Sequence, residues 1–229
     1  MSIVPADIDS PETPRRARGR PRKTPDERDD GNRRRELVGA AARLFRRQGF
    51  SATSTRDIAT AVGMHSGSPF YHFESKEALL AAVMQEGMQS ALERQNVALA
   101  LLAQDAPPQE RLRTLVRNHF EVLLGPDSDF IPVMLYEWRM LDASQLGAIT
   151  ALKDAYEAAW VPVMDALHAG GQLAGDPALA RLMIFGALNW SVQWYQPPVA
   201  TARGSRSRRR ATLDDLTTTA LQLFLKVPA

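Results

Sequence analysis

The residues best equipped for chemistry are arginines, one lysine and small hydroxyl side chains gathered in the first third of the chain. Arg56 lies near the start of a short helical pattern, Thr55-Arg56-Asp57-Ile58-Ala59-Thr60-Ala61-Val62, and Ser66, Gly67 and Ser68 follow it closely. An arginine fork can pair both acceptors of a guanine edge, and small side chains let a backbone approach a base or phosphate. Catalytic sets are missing by contrast. The four histidines (His65, His72, His119 and His168) show no metal-ligand spacing. Gly63-Met64-His65-Ser66-Gly67 misplaces the serine of a nucleophile elbow, and Glu137, Asp142 and Asp154 single out no carboxylate site. These residues describe a binding protein with no catalytic residues, no metal and no cofactor.

The elements that must position these side chains are helical. Ser54 is a suitable N-cap with Asp57 as its capping-box partner, and Gly63 stops the helix. A second short helix is expected over Ser66–Tyr71, with Pro69 tolerated in its first turn. Two such helices joined by a tight turn match a helix-turn-helix unit, whose second helix enters the DNA major groove. A preceding helix is expected from Gly31 or Asn32 to Gln48, with Leu37, Ala41, Leu44 and Phe45 on one face. Leu44, Phe45, Ile58, Val62, Phe70 and Phe73 then form a small core. Ser75 caps a long helix running toward Ala103, which links this unit to the rest of the chain.

At these residues the chain resembles TetR-type bacterial transcriptional regulators. Gly63, Gly67, Tyr71, His72, Phe73, Ser75, Lys76, Glu77 and Leu79 match that signature, as does Thr55-Arg56-Asp57-Ile58-Ala59 after Gly49-Phe50. Pro69 and His65 depart from its common form. The resemblance implies a homodimer on a pseudo-palindromic double-stranded DNA operator, with Thr55, Tyr71, His72 and Lys76 holding phosphates. Arg56 is the candidate for direct base contact, and Ser66, Gly67 and Ser68 approach bases and backbone. Upstream, Arg18-Gly19-Arg20-Pro21-Arg22 resembles an AT-hook core, placing Arg18, Arg20 and Arg22 along a narrow minor groove.

Composition agrees with this division. The chain has 229 residues, 45% hydrophobic, 7% aromatic, and no cysteine, which excludes disulfides and thiolate metal sites. Residues 1–80 carry 15 basic and 11 acidic side chains. The remainder carries 13 and 15, and five of those basic residues lie in Arg203–Arg210. A basic head on an acidic body suits contact with phosphate at one end. Without an apolar leader or a membrane-length apolar run, the expected location is the bacterial cytoplasm, with nucleoid association and no membrane contact. We therefore expect an all-α protein: a disordered basic arm over 1–31, a three-helix DNA-binding domain over 32–78, and a helical effector-binding and dimerisation domain over 79–229.

Within the body, Pro107-Pro108 opens one helix, and Asp127–Leu141 forms a helical piece broken by Pro132. Asp142–Ala169 forms another, and a helix from Ala178 to Tyr195 precedes a last helix to about Leu225. Stripes of Leu182, Met183, Gly186 and Trp190, and of Leu216, Ala220 and Phe224, are candidate dimer surfaces. Aromatic and polar residues concentrated in the body are candidates for lining an effector pocket: Phe120, Tyr136, Trp138, Arg139, Tyr156, Trp160, Asn189, Trp190 and Gln193. Their pattern resembles a TetR subgroup controlling fatty-acid, sterol or acyl-CoA metabolism, which implies a hydrophobic or acyl-CoA-like effector. Arg139, Arg181 and the Arg203–Arg210 loop are then candidates for its phosphates. The competing reading is a ligand-independent architectural DNA-binding protein that uses the same head and arm.

Overall fold

Local capping signals start and stop most of the helices. The computed structural model describes the backbone over residues 25–64, 71–126, 128–198 and 210–226, with side chains from Gly31 onward. Helix α1 (Pro25–Gln48) begins earlier than the expected Gly31 or Asn32 and so reaches into the stretch assigned to the arm. Proline permits this, because a first-turn N–H has no intrahelical partner to lose. Gly49, with φ of 84°, ends the helix. Helix α2 (Thr55–Ala61) carries the expected capping box. The Asp57 N–H donates to Ser54 Oγ at 3.1 Å, and the Ser54 N–H donates to Asp57 Oδ2 at 2.9 Å. Helix α3 (Lys76–Ala100) starts on Ser75, whose hydroxyl accepts from the Ala78 N–H at 3.0 Å. The expected helix with Ser66, Gly67 and Ser68, the arm with Arg18, Arg20 and Arg22, and most of the Arg203–Arg210 loop lie outside the described residues.

Six more helices make the body: α4 (Pro108–Leu124), α5 (Phe130–Glu137), α6 (Ala143–Ala158), α7 (Val161–Ala169), α8 (Pro177–Trp190) and α9 (Leu213–Phe224). Three expectations are corrected here. Pro132 does not break α5, because it occupies the first turn, where its missing N–H is harmless. The single helix expected over Asp142–Ala169 is two. Pro162 lacks the N–H that would continue the ladder, and its ring would meet the Ala158 carbonyl, so the chain restarts at Val161. Helix α8 stops at Trp190, and a 3₁₀ turn over Ser191–Gln193 replaces the expected run to Tyr195.

The core is one continuous cluster that runs from Leu37 and Phe45 in the head to Leu221 in α9. Helix α3 is its axis, packing against α1, α4, α5 and α6. The buried Gln95 side chain pins that axis. Its Nε2 donates to the Tyr156 carbonyl at 2.8 Å, and its Oε1 accepts from Trp160 Nε1 at 2.9 Å. Helix α5 crosses α3 at Gly87, where an added Cβ would stand 2.6 Å from Phe130 Cβ. Among the described residues there is no strand, and no helix is long and apolar enough to cross a membrane.

The two candidate dimer stripes divide. On α8, Leu182, Met183, Gly186 and Trp190 are exposed, Met183 by 74% and Trp190 by 65%. On α9, Ala220 is buried, and the half-buried Leu216 and Phe224 pack against the chain's own core. The exposed apolar residue of α9 is Leu223.

Gly87→Ala should lower stability despite alanine's better helix propensity. Propensity favours alanine by about 1 kcal/mol, but forcing apart two packed helices costs about 1–3 kcal/mol. A net loss of roughly 1 kcal/mol is expected in urea unfolding.

Candidate functional site

The head is organised around the short loop between α1 and α2. Lys76 Nζ donates to the Phe50 and Thr53 carbonyls, both at 2.9 Å, and sits 4.1 Å from the centre of the Phe50 ring. Thr53 Oγ1 donates to the Gly49 carbonyl at 2.8 Å, and Phe50 packs on Phe45 with ring centres 5.3 Å apart. Thr55 and Arg56 then emerge side by side at the start of α2, Thr55 half-buried and Arg56 exposed. Tyr71 is 91% exposed and His72 half-buried, on the approach to α3. Asp57 has its pKa lowered by the two Ser54 donors, side chain first. Two of the three Lys76 protons are directed inward, so it fixes the loop that presents Thr55 and Arg56.

The body also grips this loop. Glu137 Oε1 at the end of α5 accepts the Phe50 N–H at 3.0 Å. At the other end of α5, Arg46 Nη1 donates to Ser128 Oγ at 2.9 Å and to Asp129 Oδ1 at 3.1 Å. Sequence reasoning gave Glu137 no role, because a contact across 87 positions leaves no periodic trace.

A cavity of about 190 Å³ lies inside the body, walled by α3, α4, α5, α6 and α8. Its apolar side is Met88 and Ala91 of α3, Val122 of α4, and Ile131, Met134 and Leu135 of α5, with Phe185 of α8. Its polar side is a chain of contacts: His119 Nδ1 lies 3.0 Å from the Tyr156 hydroxyl, and His119 Nε2 lies 3.0 Å from Asn189 Oδ1. Burial lowers the His119 pKa to about 4, with the Asn189 bond and the Glu157 charge only partly opposing it. Burial likewise raises the Tyr156 phenol. Glu157, also on the wall, accepts from Lys153 Nζ at 3.0 Å and from Arg181. Desolvation pulls the Lys153 pKa down, but Glu157 and then Asp154 outweigh it, so the net shift is upward.

Of the residues expected to bind a ligand, Tyr156 and Asn189 line this cavity. Trp160 and Phe120 are buried without reaching its wall; Trp160 stacks behind Phe185 with ring centres 4.6 Å apart. Tyr136 and Gln193, bonded to each other, line a separate cleft of about 320 Å³ between the end of α1 and α5. Trp138, Arg139 and Trp190 are on the surface. Arg181 is already neutralised by Glu157. His119, Lys153 and Glu157 were missed as lining residues. The signal for His119 was its place in the apolar stripe Leu112, Leu115, His119, Val122 of α4; Lys153 and Glu157 read only as a surface pair four residues apart.

A head in which α1, α2 and the start of α3 present Arg56 and Tyr71, on a helical body with an internal cavity, is the arrangement of a DNA-binding regulator of the one-chain, two-domain kind. Residues 37–83 match the family model for bacterial regulatory proteins of the tetR family, and residues 105–198 match the tetracyclin repressor-like C-terminal domain. The chain belongs to the TetR family of transcriptional regulators. The transcriptional repressor KstR2 of Rhodococcus jostii RHA1 is 28% identical over 183 residues, which cover 76% of this chain and 87% of that protein. The structure of the Mycobacterium tuberculosis ketosteroid transcriptional regulator KstR2 superposes with a TM-score of 0.67 at 26% identity, over 85% of this chain and 96% of that one. The superantigen PfiT is 35% identical with a TM-score of 0.66, over 85% of this chain and 97% of that one. AibR, in complex with isovaleryl coenzyme A and operator DNA, shares the fold with a TM-score of 0.72 at 24% identity, over 84% and 97%.

The buried neutral His119 gives stability a pH dependence. Its pKa falls from 6.5 to about 4 on folding, so the unfolded chain takes up the proton first as pH drops. The contribution is complete above about pH 6.5 and is lost between there and about pH 4. A fall of up to about 3 kcal/mol is expected across that window. Comparing urea midpoints at pH 7 and pH 4.5 checks this, and His119→Gln should flatten the difference.

Proposed function

We propose that this chain is a homodimeric transcriptional repressor that grips a pseudo-palindromic operator and releases it when a small hydrophobic effector, an acyl-CoA, enters the body cavity. The observation that carries this is the identity of the cavity walls. Met88 and Ala91 belong to α3, whose first residue, Lys76, fixes the head loop. Ile131, Met134 and Leu135 belong to α5, whose ends hold Phe50 and Arg46. A ligand that displaces either helix moves the head, and its differential affinity for the two arrangements sets the loss of operator affinity. The KstR2 relatives support the regulator of apolar metabolites. Thr55, Arg56 and Tyr71 of the described head make the DNA contacts in this reading, together with the Ser66–Ser68 segment. The work site is the cytoplasm, on the nucleoid.

The exposed α8 stripe supports the dimer, because a contiguous apolar patch of this kind on a soluble chain marks an interaction surface. Two heads joined there read two half-sites. Met183→Glu should put a charge in the middle of that patch. Sedimentation velocity should find a monomer where the parent chain is a dimer, and operator affinity should fall at least tenfold as the second half-site contact is lost.

Selection of DNA from a random pool, repeated with hexanoyl- to palmitoyl-CoA present, tests the whole reading. A palindrome enriched alone and lost with one of these thioesters is the expected result. A palindrome indifferent to all of them removes the effector assignment. Enrichment of A·T-rich DNA without a palindrome favours the architectural alternative.

A further inference from the structure

The polar end of the cavity has a hydrogen-bond direction, and that direction restricts the ligand. Asn189 Oδ1 faces His119 Nε2 at 3.0 Å. An amide oxygen only accepts, so Nε2 carries the proton of the ring. The ring is neutral, which leaves Nδ1 as an acceptor, and the Tyr156 O–H fills it at 3.0 Å. The donors therefore run in one sense, from Tyr156 through His119 to Asn189. Asn189 Nδ2 is left over, on the cavity wall, with two protons and no acceptor among the described residues. The nearby cation cannot substitute for it, because Lys153 is engaged by Glu157 and Asp154. Across the cavity, Met88, Val122, Ile131 and Leu135 offer no hydrogen-bonding side chain.

We propose that the ligand of this cavity carries a carbonyl oxygen and that Asn189 Nδ2 is the donor that reads it. This rests on the cavity being the effector site, but it does not require the ligand to be a CoA ester. A half-buried amide that must give up water to admit a ligand selects for a replacement acceptor, since a donor left unpaired under the ligand is costly and a paired one nearly neutral. Tyr156 and His119 act as positioning residues: they hold the Asn189 amide with its oxygen inward and its nitrogen toward the ligand.

The test uses matched pairs that differ only in the acceptor. One pair is cyclohexanone and its hydrocarbon isostere methylenecyclohexane, which suit a cavity of about 190 Å³. The other is hexanoyl-CoA and the thioether S-hexyl-CoA. Binding of each to the full chain is measured by ligand-observed NMR or calorimetry, and the carbonyl-to-isostere affinity ratio is compared between proteins. Asn189→Leu should lower the ratio for a bound pair by roughly three- to tenfold, the worth of one hydrogen bond. Asn189→Asp, which replaces the donor by an acceptor at nearly constant shape, should lower it as well and serves if the leucine variant does not fold. An unchanged ratio in both variants overturns the proposal, and so does a ratio that Tyr156→Phe alone abolishes, since that would mean the chain of donors runs the other way. If the ketone pair shows the Asn189 dependence while neither CoA compound binds, the carbonyl assignment stands and the acyl-CoA reading falls. If hexanoyl-CoA binds without that dependence, the reverse holds. Failure of all four compounds to bind overturns both.

Discussion

The Lys76 ammonium and the two carbonyls it holds are the constraint on which the head depends. The group is partly buried, has no carboxylate within bonding distance among the described residues, and rests against the Phe50 ring. Hydrogen bonds to a charged donor contribute about 1.5–3 kcal/mol each, so two of them offset the loss of hydration at a half-buried site. Their geometric effect matters more than their sum. The Phe50 and Thr53 carbonyls belong to the loop that feeds α2, while Lys76 is the first residue of α3. One cation therefore fixes the start of α2 to the start of the long axial helix, and the capping pair Ser54–Asp57 completes the joint. Thr55 and Arg56 follow immediately, so a change in the orientation of α3 is a change in where they point.

Helix α5 adds a second hold on the same loop from the opposite side. It has only eight residues, yet it contacts the head at both ends and walls the cavity between them. Its crossing with α3 has no slack, because Gly87 leaves room for Phe130 only by lacking a side chain. Closely packed crossings of this kind do not yield gradually; they shift between discrete arrangements. The loop is thus held by two helices that also bound the cavity, and displacement of one against the other is transmitted to Phe50 without an intermediary.

Much of this was legible because it is local. The Ser54–Asp57 capping box, Ser75 and Gly63 each announce a helix end within four residues, and the structure uses every one. The site was less legible, because its contacts span 37 positions for His119–Tyr156, 70 for His119–Asn189 and 87 for Phe50–Glu137. Periodicity identifies an apolar face but not what covers it. Trp160 and Trp190 both sit on helical stripes, yet one is sealed in the core and the other faces outward. The same ambiguity holds for α9, where Ala220 is buried and Leu216 and Phe224 are half-buried against the core. Proline was misjudged twice for one reason: its effect depends on whether it falls in the first turn, as Pro132 does, or where a ladder must continue, as before Pro162.

The size of the cavity bears on what an effector must do. A space of about 190 Å³ is little larger than the roughly 150 Å³ pocket that admits a single benzene ring in an engineered core. A ligand that fits this space without disturbing it binds both arrangements of the head alike, and a ligand with equal affinity for two states shifts nothing. An effector therefore has to overfill the cavity and displace one of its walls. Helix α4 is backed by α9 and α7, and α3 is pinned by Gln95 to Tyr156 and Trp160. Helix α5 is held in part by its polar contacts with Arg46 and Phe50. Growth of the cavity toward α5 would act on the helix that holds the α1–α2 loop through Phe50. On the proposed reading, occupancy becomes a signal when the ligand is too large for the resting space, and the polar end near Asn189 selects among such ligands.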